Sequence, residues 1–180
     1  MGARSSFAEA VARLEIRETL APYDPRIAGT PPLGLDMPDS DIDVLCHAPD
    51  LAGFADHLWK TFGPEQDFRI RQWVSDGRPV IASFHAHGWL FEIFGAAEPV
   101  DRQPGWRHFT IERRLLALGS SRFRDALLAA RKRGAKTEPA FAALLGLSGN
   151  PYQALLDLDG WPDSELMALL ERSGPFKKEP

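Results

Sequence analysis

The hydrophobic pattern changes near Gly95, and this change constrains the fold more than any other feature of the sequence. Before Gly95, residues 42–47, 80–85 and 89–94 form short apolar runs, and residues 68–75 alternate between apolar and polar, as strands do. After Gly95, apolar residues recur every three or four positions, as they do on one face of a helix. The sequence therefore predicts an α/β (α+β) front half and an all-helical back half.

Turn and cap residues predict where the individual elements begin and end. Ser5 or Ser6 is expected to cap a helix that reaches about Leu20, and Asp76-Gly77 is typical of a hairpin turn. Further helices are predicted over residues 51–62, 104–118, 121–133, 137–146, from 151, and 163–172. We expect residues 1–100 to form the α/β core, residues 101–174 to form a helical region packed on it, and residues 175–180 to be a frayed tail.

Composition excludes several classes of protein. Cys46 is the single cysteine among 180 residues, so neither an internal disulfide framework nor a four-cysteine zinc site is possible. No apolar run approaches the roughly 20 residues that span a bilayer, and the N-terminus lacks the apolar stretch of a signal peptide. We therefore expect a cytoplasmic protein that does not act at a membrane.

Basic residues are concentrated between residues 102 and 136, which hold ten basic and two acidic side chains. Such a segment can attract phosphate although the whole chain has a net charge of -4. A solvated helical surface explains the same pattern, and one basic stretch is a weak signal for nucleic acid. No sequence-specific DNA binding is expected.

Two carboxylates at the start of a predicted strand are the candidate chemical centre. Asp41 and Asp43 lie two residues apart, so the period of a strand places both on one face, with Ile42 pointing the other way. Two carboxylates directed at one place repel each other unless a cation lies between them. Divalent metals such as Mg²⁺ prefer oxygen ligands of this kind.

Two further features complete the candidate site. Gly29-Thr30 offers a residue without a Cβ, a hydroxyl donor and backbone N–H groups, all of which suit a phosphate. Glu92 lies among apolar residues of a later strand, where a charge needs a partner such as a metal site on a neighbouring strand. The sequence lacks the P-loop, Rossmann, zinc-protease and nucleophile-elbow motifs.

Roughly residues 20–95 resemble the DNA polymerase β-type nucleotidyltransferase superfamily. The resemblance lies in the order of the motifs: Gly-Thr, a loop, Ser-Asp-Ile-Asp on a strand, and a carboxylate on a later strand. The whole chain also resembles an uncharacterised bacterial family, catalogued as a domain of unknown function within that superfamily. Residues 92–95, 107–112, 136–141 and 150–152 carry this second resemblance. Both imply a minimal nucleotidyltransferase-type mixed sheet with flanking helices and a C-terminal helical region.

The resemblance also implies roles for individual residues. Asp41, Asp43 and Glu92 would be the catalytic metal ligands for Mg²⁺ or Mn²⁺, and Glu92 could help to deprotonate the attacking hydroxyl. The implied nucleotide-binding residues are Gly29, Thr30, Ser40, Arg107 and Arg114. Thr30 replaces the more usual serine, and Pro31, Pro32 and Pro38 stand where many members begin a helix.

The implied activity is the transfer of a nucleoside monophosphate from an NTP to a hydroxyl acceptor that the sequence does not identify. The alternative is a catalytically inactive module of the same fold that binds a nucleotide or a partner protein, because a fold alone does not determine function.

Overall fold

The computed structural model describes residues 4–74, 77–174 and 176. The chain divides into two compact units. The first unit consists of Met1–Pro32 and Pro38–Trp106, and the second of Leu33–Met37 and Arg107–Pro180.

A five-stranded mixed sheet forms the centre of the first unit. Its strands are β1 (Arg26–Ala28), β2 (Ile42–His47), β3 (Gln66–Gln72), β4 (Val80–Ala86) and β5 (Trp89–Ala96). Their spatial order is β1-β2-β5-β4-β3. Strands β2 and β5 are parallel, and every other neighbouring pair is antiparallel. The predicted α/β class with a mixed sheet and flanking helices is therefore confirmed.

Three helices belong to the first unit: α1 (Phe7–Arg13), α2 (Ile16–Thr19) and α3 (Leu51–Phe62). The prediction of one helix up to Leu20 was wrong, because Glu15 adopts a left-handed conformation (φ 48°) and interrupts it. The break lets both Ile16 and Leu20 reach the core, where neither is exposed to solvent. Ser6 begins α1 with the predicted cap, accepting a hydrogen bond from the Glu9 backbone N–H.

One face of the sheet carries the main hydrophobic core. Alternate residues of the central strands, such as Phe84, Phe91 and Ile93, are fully buried together with Phe54 and Leu58 of α3. Burying a side chain of this size contributes about 1.5–3 kcal/mol. Because successive strand residues point to opposite faces, the residues between these core positions all lie on the other face.

That other face carries a row of polar residues, and we call it the carboxylate face. The pairing registers place Ala28, Asp43, Glu92, Ser83 and Arg69 side by side across the five strands. The next row on the same face runs through Leu45, Phe94, Ile81 and Arg71.

The second unit is helical. Its helices are α4 (Pro104–Leu118), whose residues from Arg107 belong to this unit, α5 (Ser121–Lys132), α6 (Thr137–Leu144), α7 (Pro151–Leu156) and α8 (Asp163–Ser173). Its core contains fully buried side chains of several helices: Ile111, Leu115, Phe123, Phe141, Leu166 and Leu170. Among the described residues, no helix combines the length and the apolar character needed to cross a membrane.

Two predictions fall partly outside the described residues. The predicted hairpin joins β3 to β4, with Gln72 paired to Val80, but residues 75 and 76 of its turn are not described. Most of the predicted tail, residues 175 and 177–180, is likewise not described. Phe176 is described: its ring centroid lies 5.4 Å from that of Phe123.

Candidate active site

Asp43 and Glu92 are neighbours on the carboxylate face. They occupy the same register position of the parallel strands β2 and β5, and both side chains are half-buried. Paired strands are about 4.8 Å apart, so the two carboxylates emerge side by side from one face. Asp41 lies immediately before β2, one residue before Ile42. The structure thus brings Asp43 and Glu92 together, while the joint role of all three carboxylates stays a prediction.

Gly29 adjoins the Asp43 carboxylate. It follows β1 directly and has a φ of 79°, in the left-handed region that glycine tolerates best. A Cβ at this position would overlap Oδ2 of Asp43. Glycine is therefore required here for two reasons, the backbone conformation and the space that the Asp43 carboxylate occupies.

Thr30 and Ser40 connect the two ends of the loop between β1 and β2. The Thr30 hydroxyl donates to Oγ of Ser40 at 3.0 Å, and both residues are half-buried. Within the loop, Pro31–Leu33 forms a single 3₁₀ turn. The hydrogen bond therefore places two hydroxyls beside Gly29.

Arg4 holds the same loop from the N-terminal side. Its guanidinium donates to the carbonyl oxygens of Pro38 and Ser40, each at 2.9 Å, and lies 3.3 Å from the ring centroid of Trp89. Sequence reasoning missed this residue, because an arginine ahead of the first predicted helix carries no local signal of a partner more than 30 residues away.

Arg71 forms an ion pair with Glu92. Its Nη2 lies 3.2 Å from Oε2 of Glu92. With 53% of the Arg71 side chain and 35% of the Glu92 side chain exposed, solvent screens the pair, and its contribution to stability is about 0–1 kcal/mol. The sequence predicts a charge partner for Glu92, and in this structure that partner is an arginine of the edge strand β3.

The donor chemistry of the site fits a hard divalent cation. The carboxylates of Asp43 and Glu92 are oxygen donors on one face, and the missing Cβ of Gly29 leaves the space that the Asp43 carboxylate occupies. From the sequence, such an ion is assigned to Asp41, Asp43 and Glu92, and this assignment stays a prediction. Among the described residues, however, no group of three His, Cys, Asp or Glu side chains lies close enough together to hold a metal ion.

The two arginines predicted to bind nucleotide lie in the second unit and contact acidic residues there. Nε of Arg107 donates to Asp159 at 2.8 Å. Arg114 donates to the Asp163 carboxylate at 2.6 Å and to the carbonyl oxygens of Asp159 and Trp161. Both arginines thus connect α4 to the segment between α7 and α8, and their role in nucleotide binding stays a prediction.

The second unit also contains a buried carboxyl group on α4. Glu112 is only 5% exposed, and its Oε1 has no hydrogen-bond partner among the described residues. Burial raises the pKa of Glu112 well above its usual range, and the nearby Glu138 raises it further, while Arg131 lowers it. Nothing in the sequence distinguished Glu112 from the solvated charges around it.

Solved structures share the fold at low sequence identity. A chain of the GLD-2/RNP-8 complex aligns with a TM-score of 0.52 and 10% identity, over 91% of this chain and 74% of that chain. Cid1 poly(U) polymerase with MgGTP bound aligns with a TM-score of 0.55 and 14% identity, over 85% of this chain and 49% of that chain. A second structure of Cid1, reported for its RNA terminal uridylyl transferase activity, aligns with a TM-score of 0.54 and 12% identity, over 83% of this chain and 45% of that chain.

These similarities show that the chain shares the fold of these nucleotidyltransferases. The present chain spans about half the length of the Cid1 chains that it matches. No protein of curated function matched the sequence.

The family model described as "Domain of unknown function (DUF4269)" matches residues 9–158, which include both the carboxylate face and most of the helical unit. The chain therefore belongs to the DUF4269 family.

Proposed function

We propose that the protein transfers a nucleoside monophosphate from an NTP to a hydroxyl group of an acceptor. The acceptor oxygen attacks the α-phosphorus in line, the bond from that phosphorus to the β-phosphate oxygen breaks, and pyrophosphate leaves. The observation that carries this proposal is the side-by-side placement of Asp43 and Glu92 on parallel strands, next to Gly29. The nucleotidyltransferase fold supports it.

In this proposal the chain supplies a phosphate cradle and a pair of oxygen ligands. Gly29, Thr30 and Ser40 contact the triphosphate, because a glycine backbone and two hydroxyls can approach phosphate oxygens closely. Asp41, Asp43 and Glu92 hold Mg²⁺ or Mn²⁺. When bound, such an ion would neutralise the charge that develops on the attacking and leaving oxygens.

Glu92 and the two helical arginines have further proposed roles. Glu92 accepts the proton of the acceptor hydroxyl once its carboxylate is released from Arg71. Arg107 and Arg114 contribute positive charge for the nucleotide in addition to their contacts with Asp159 and Asp163.

A second candidate function is a catalytically inactive module that binds a nucleotide or a partner protein. The ion pair of Arg71 with Glu92 favours it, because a guanidinium bound to the third carboxylate satisfies that charge without a metal ion. Nucleotide binding without turnover would be the signature of this alternative.

Labelled nucleotide separates the two candidates. Purified protein is incubated with each α-³²P-labelled NTP, Mg²⁺ or Mn²⁺, and small-molecule, RNA and protein fractions of a cell extract. Transferase activity predicts label on one fraction, no label with Asp43→Asn, and unchanged labelling with Asp56→Asn, an exposed acidic residue of α3. Saturable NTP binding with no labelled product in any fraction would favour the inactive module.

A further inference from the structure

We propose that the edge strand β3 carries a binding subsite for the end of a single-stranded polynucleotide, formed by Arg69, Arg71 and Trp73. The subsite lies on the carboxylate face, beside Glu92. Its assignment as the acceptor subsite rests on the proposed transferase function, but its existence as a polynucleotide site does not.

The registers of the sheet place both arginines on the face that carries the carboxylates. Arg69 pairs with Ser83, which pairs in turn with Glu92, so the three lie in one row. Arg71 is two residues further along β3, on the same face, and reaches Glu92 at 3.2 Å. Both arginine residues are exposed, so both can reach a ligand from solvent.

Trp73 follows Arg69 and Arg71 at the same two-residue spacing, one residue beyond the end of β3. Its backbone N–H donates to the carbonyl oxygen of Pro79 at 3.0 Å, so the pairing with the chain leading into β4 extends to this residue. The indole lies 6.3 Å from the Phe94 ring at an interplanar angle of 79°, and 48% of the residue is exposed. An edge-to-face contact of this kind leaves a flat aromatic surface available on which a base can stack.

The distance from Arg69 to Trp73 along the chain favours a polynucleotide over a free nucleotide as the ligand. Trp73 lies four positions after Arg69 in extended chain, a span of about 13 Å. Stacked nucleotides rise by about 3.4 Å each along one strand, so two guanidiniums and one ring at this spacing match more than one nucleotide. An exposed ring binds unstacked bases, which single strands provide and duplexes do not.

Several arginines of the basic segment 102–136 already have hydrogen-bond partners within the helical unit. Four of them donate hydrogen bonds inside the helical unit: Arg107 to Asp159, Arg114 to Asp163, Arg124 to the Leu33 carbonyl and Arg131 to the Ala135 carbonyl. These four guanidiniums have partners within the helical unit, whereas Arg69 and Arg71 are exposed on the carboxylate face.

The test measures oligonucleotide binding in the absence of NTP and metal. The probe is a 5′-labelled single-stranded RNA or DNA hexanucleotide, titrated with protein at 50 mM salt while fluorescence anisotropy is recorded. The variants are Arg69→Ala, Arg71→Lys and Trp73→Leu. The matched controls lie on helices that pack against the opposite face: Arg17→Ala on α2, and Trp59→Leu on α3, whose tryptophan is 62% exposed.

We expect Trp73→Leu to weaken hexanucleotide binding by roughly 5- to 150-fold, the range found for loss of one stacked base. Arg69→Ala should also weaken binding and reduce the slope of log affinity against log salt by about 0.7, the value for one phosphate contact on a single strand. Arg71→Lys keeps the charge and should have a smaller effect. Both control variants should bind like the wild type, and a mononucleotide should bind far more weakly than the hexanucleotide.

The outcomes separate this inference from the proposed function. Equal affinity in all variants, equal losses in the controls, or mononucleotide binding as tight as hexanucleotide binding would overturn the polynucleotide site. Hexanucleotide binding that depends on Trp73 and Arg69, without label transfer from NTP, would support the site and refute the transferase. Label transfer to a non-nucleotide acceptor that is insensitive to Trp73→Leu would support the transferase and refute the assignment of β3 as its acceptor subsite.

Discussion

Asp43 and Glu92 stand at one register position of two parallel strands that are adjacent in the sheet, although β3 and β4 lie between them in the sequence. Two carboxylates about one strand spacing apart repel each other, which raises the free energy of the folded state unless positive charge lies nearby. In this structure that charge belongs to Arg71, which contacts Glu92. A divalent cation would serve the same purpose for both carboxylates.

Asp43→Asn should abolish metal-dependent stabilisation while keeping the fold. The substitution removes one of two repelling charges, so the melting temperature of the metal-free protein should stay equal or rise. It also removes a ligand oxygen charge, so the shift in melting temperature with Mg²⁺ or Mn²⁺ should disappear, and any transfer rate should fall by at least ~100-fold. Thermal melts with and without metal measure this, with Asp56→Asn as the control. A metal-induced shift of wild-type size in Asp43→Asn would refute the assignment.

Gly29→Ala should damage the site more than an ordinary glycine substitution does. The left-handed backbone alone costs about 1–2 kcal/mol in a residue with a Cβ. The added methyl group would in addition overlap the Asp43 carboxylate and displace it.

Gly77→Ala is the matched control for this substitution. Gly77 has a similar φ of 74°, but a Cβ there would meet nothing within 4 Å. Urea unfolding should show a larger loss of stability for Gly29→Ala, and only this variant should lose NTP binding. Equal behaviour of the two variants would mean that Gly29 matters for its backbone conformation alone.

Local sequence patterns predicted the elements of the candidate site but not all of their partners. The apolar run before His47 and the period of a strand were enough to place Asp43 on one face of β2. The pairing of β2 with β5, and hence of Asp43 with Glu92, depends on contacts between residues distant in sequence. It was anticipated only from the apolar surroundings of Glu92 and from the family resemblance. The Arg71–Glu92 ion pair was missed for the same reason.

The basic segment illustrates a different limit. Charge counting showed that arginines are concentrated after residue 101, but it could not show what they contact. Arg107 and Arg114 face acidic residues some 50 positions later in the chain, so a surplus of charge in the sequence becomes a set of local hydrogen bonds in the structure.

Arg114→Ala should destabilise the helical unit by about 1–3 kcal/mol, because its guanidinium donates to one carboxylate and two carbonyl oxygens. Arg122→Ala, at an exposed position of α5, should be nearly neutral. Chemical unfolding compares the two, and NTP titration of folded protein tests the proposed nucleotide contact separately. A loss of stability with unchanged NTP affinity would leave Arg114 with a structural role only.

Glu112→Gln should change how stability depends on pH. Burial among the helices raises the pKa of Glu112 in the folded protein above its value in the unfolded chain, which is about 4.3. Between these two pKa values the folded state binds more protons than the unfolded state, so raising the pH destabilises the fold. The stability contributed by the protonated carboxyl is complete below the unfolded pKa and is lost as the pH rises through the folded pKa. Glutamine has a similar shape and does not ionise, so the variant should escape this loss.

Urea unfolding of both proteins between pH 4 and pH 8 measures the difference. Titrations shared by the two proteins cancel, and the advantage of Glu112→Gln should grow with pH by up to about 1.4 kcal/mol per pH unit within the window, reaching a plateau above the folded pKa. Glu165→Gln, an exposed position of α8, serves as the control and should follow the wild-type curve closely. If the wild-type and Glu112→Gln curves stayed parallel from pH 4 to pH 8, the Glu112 carboxyl would titrate alike in the folded and unfolded states. The burial of Glu112 and the negative charge of Glu138 would then be offset by Arg131, because the carboxylate would be as stable there as in water.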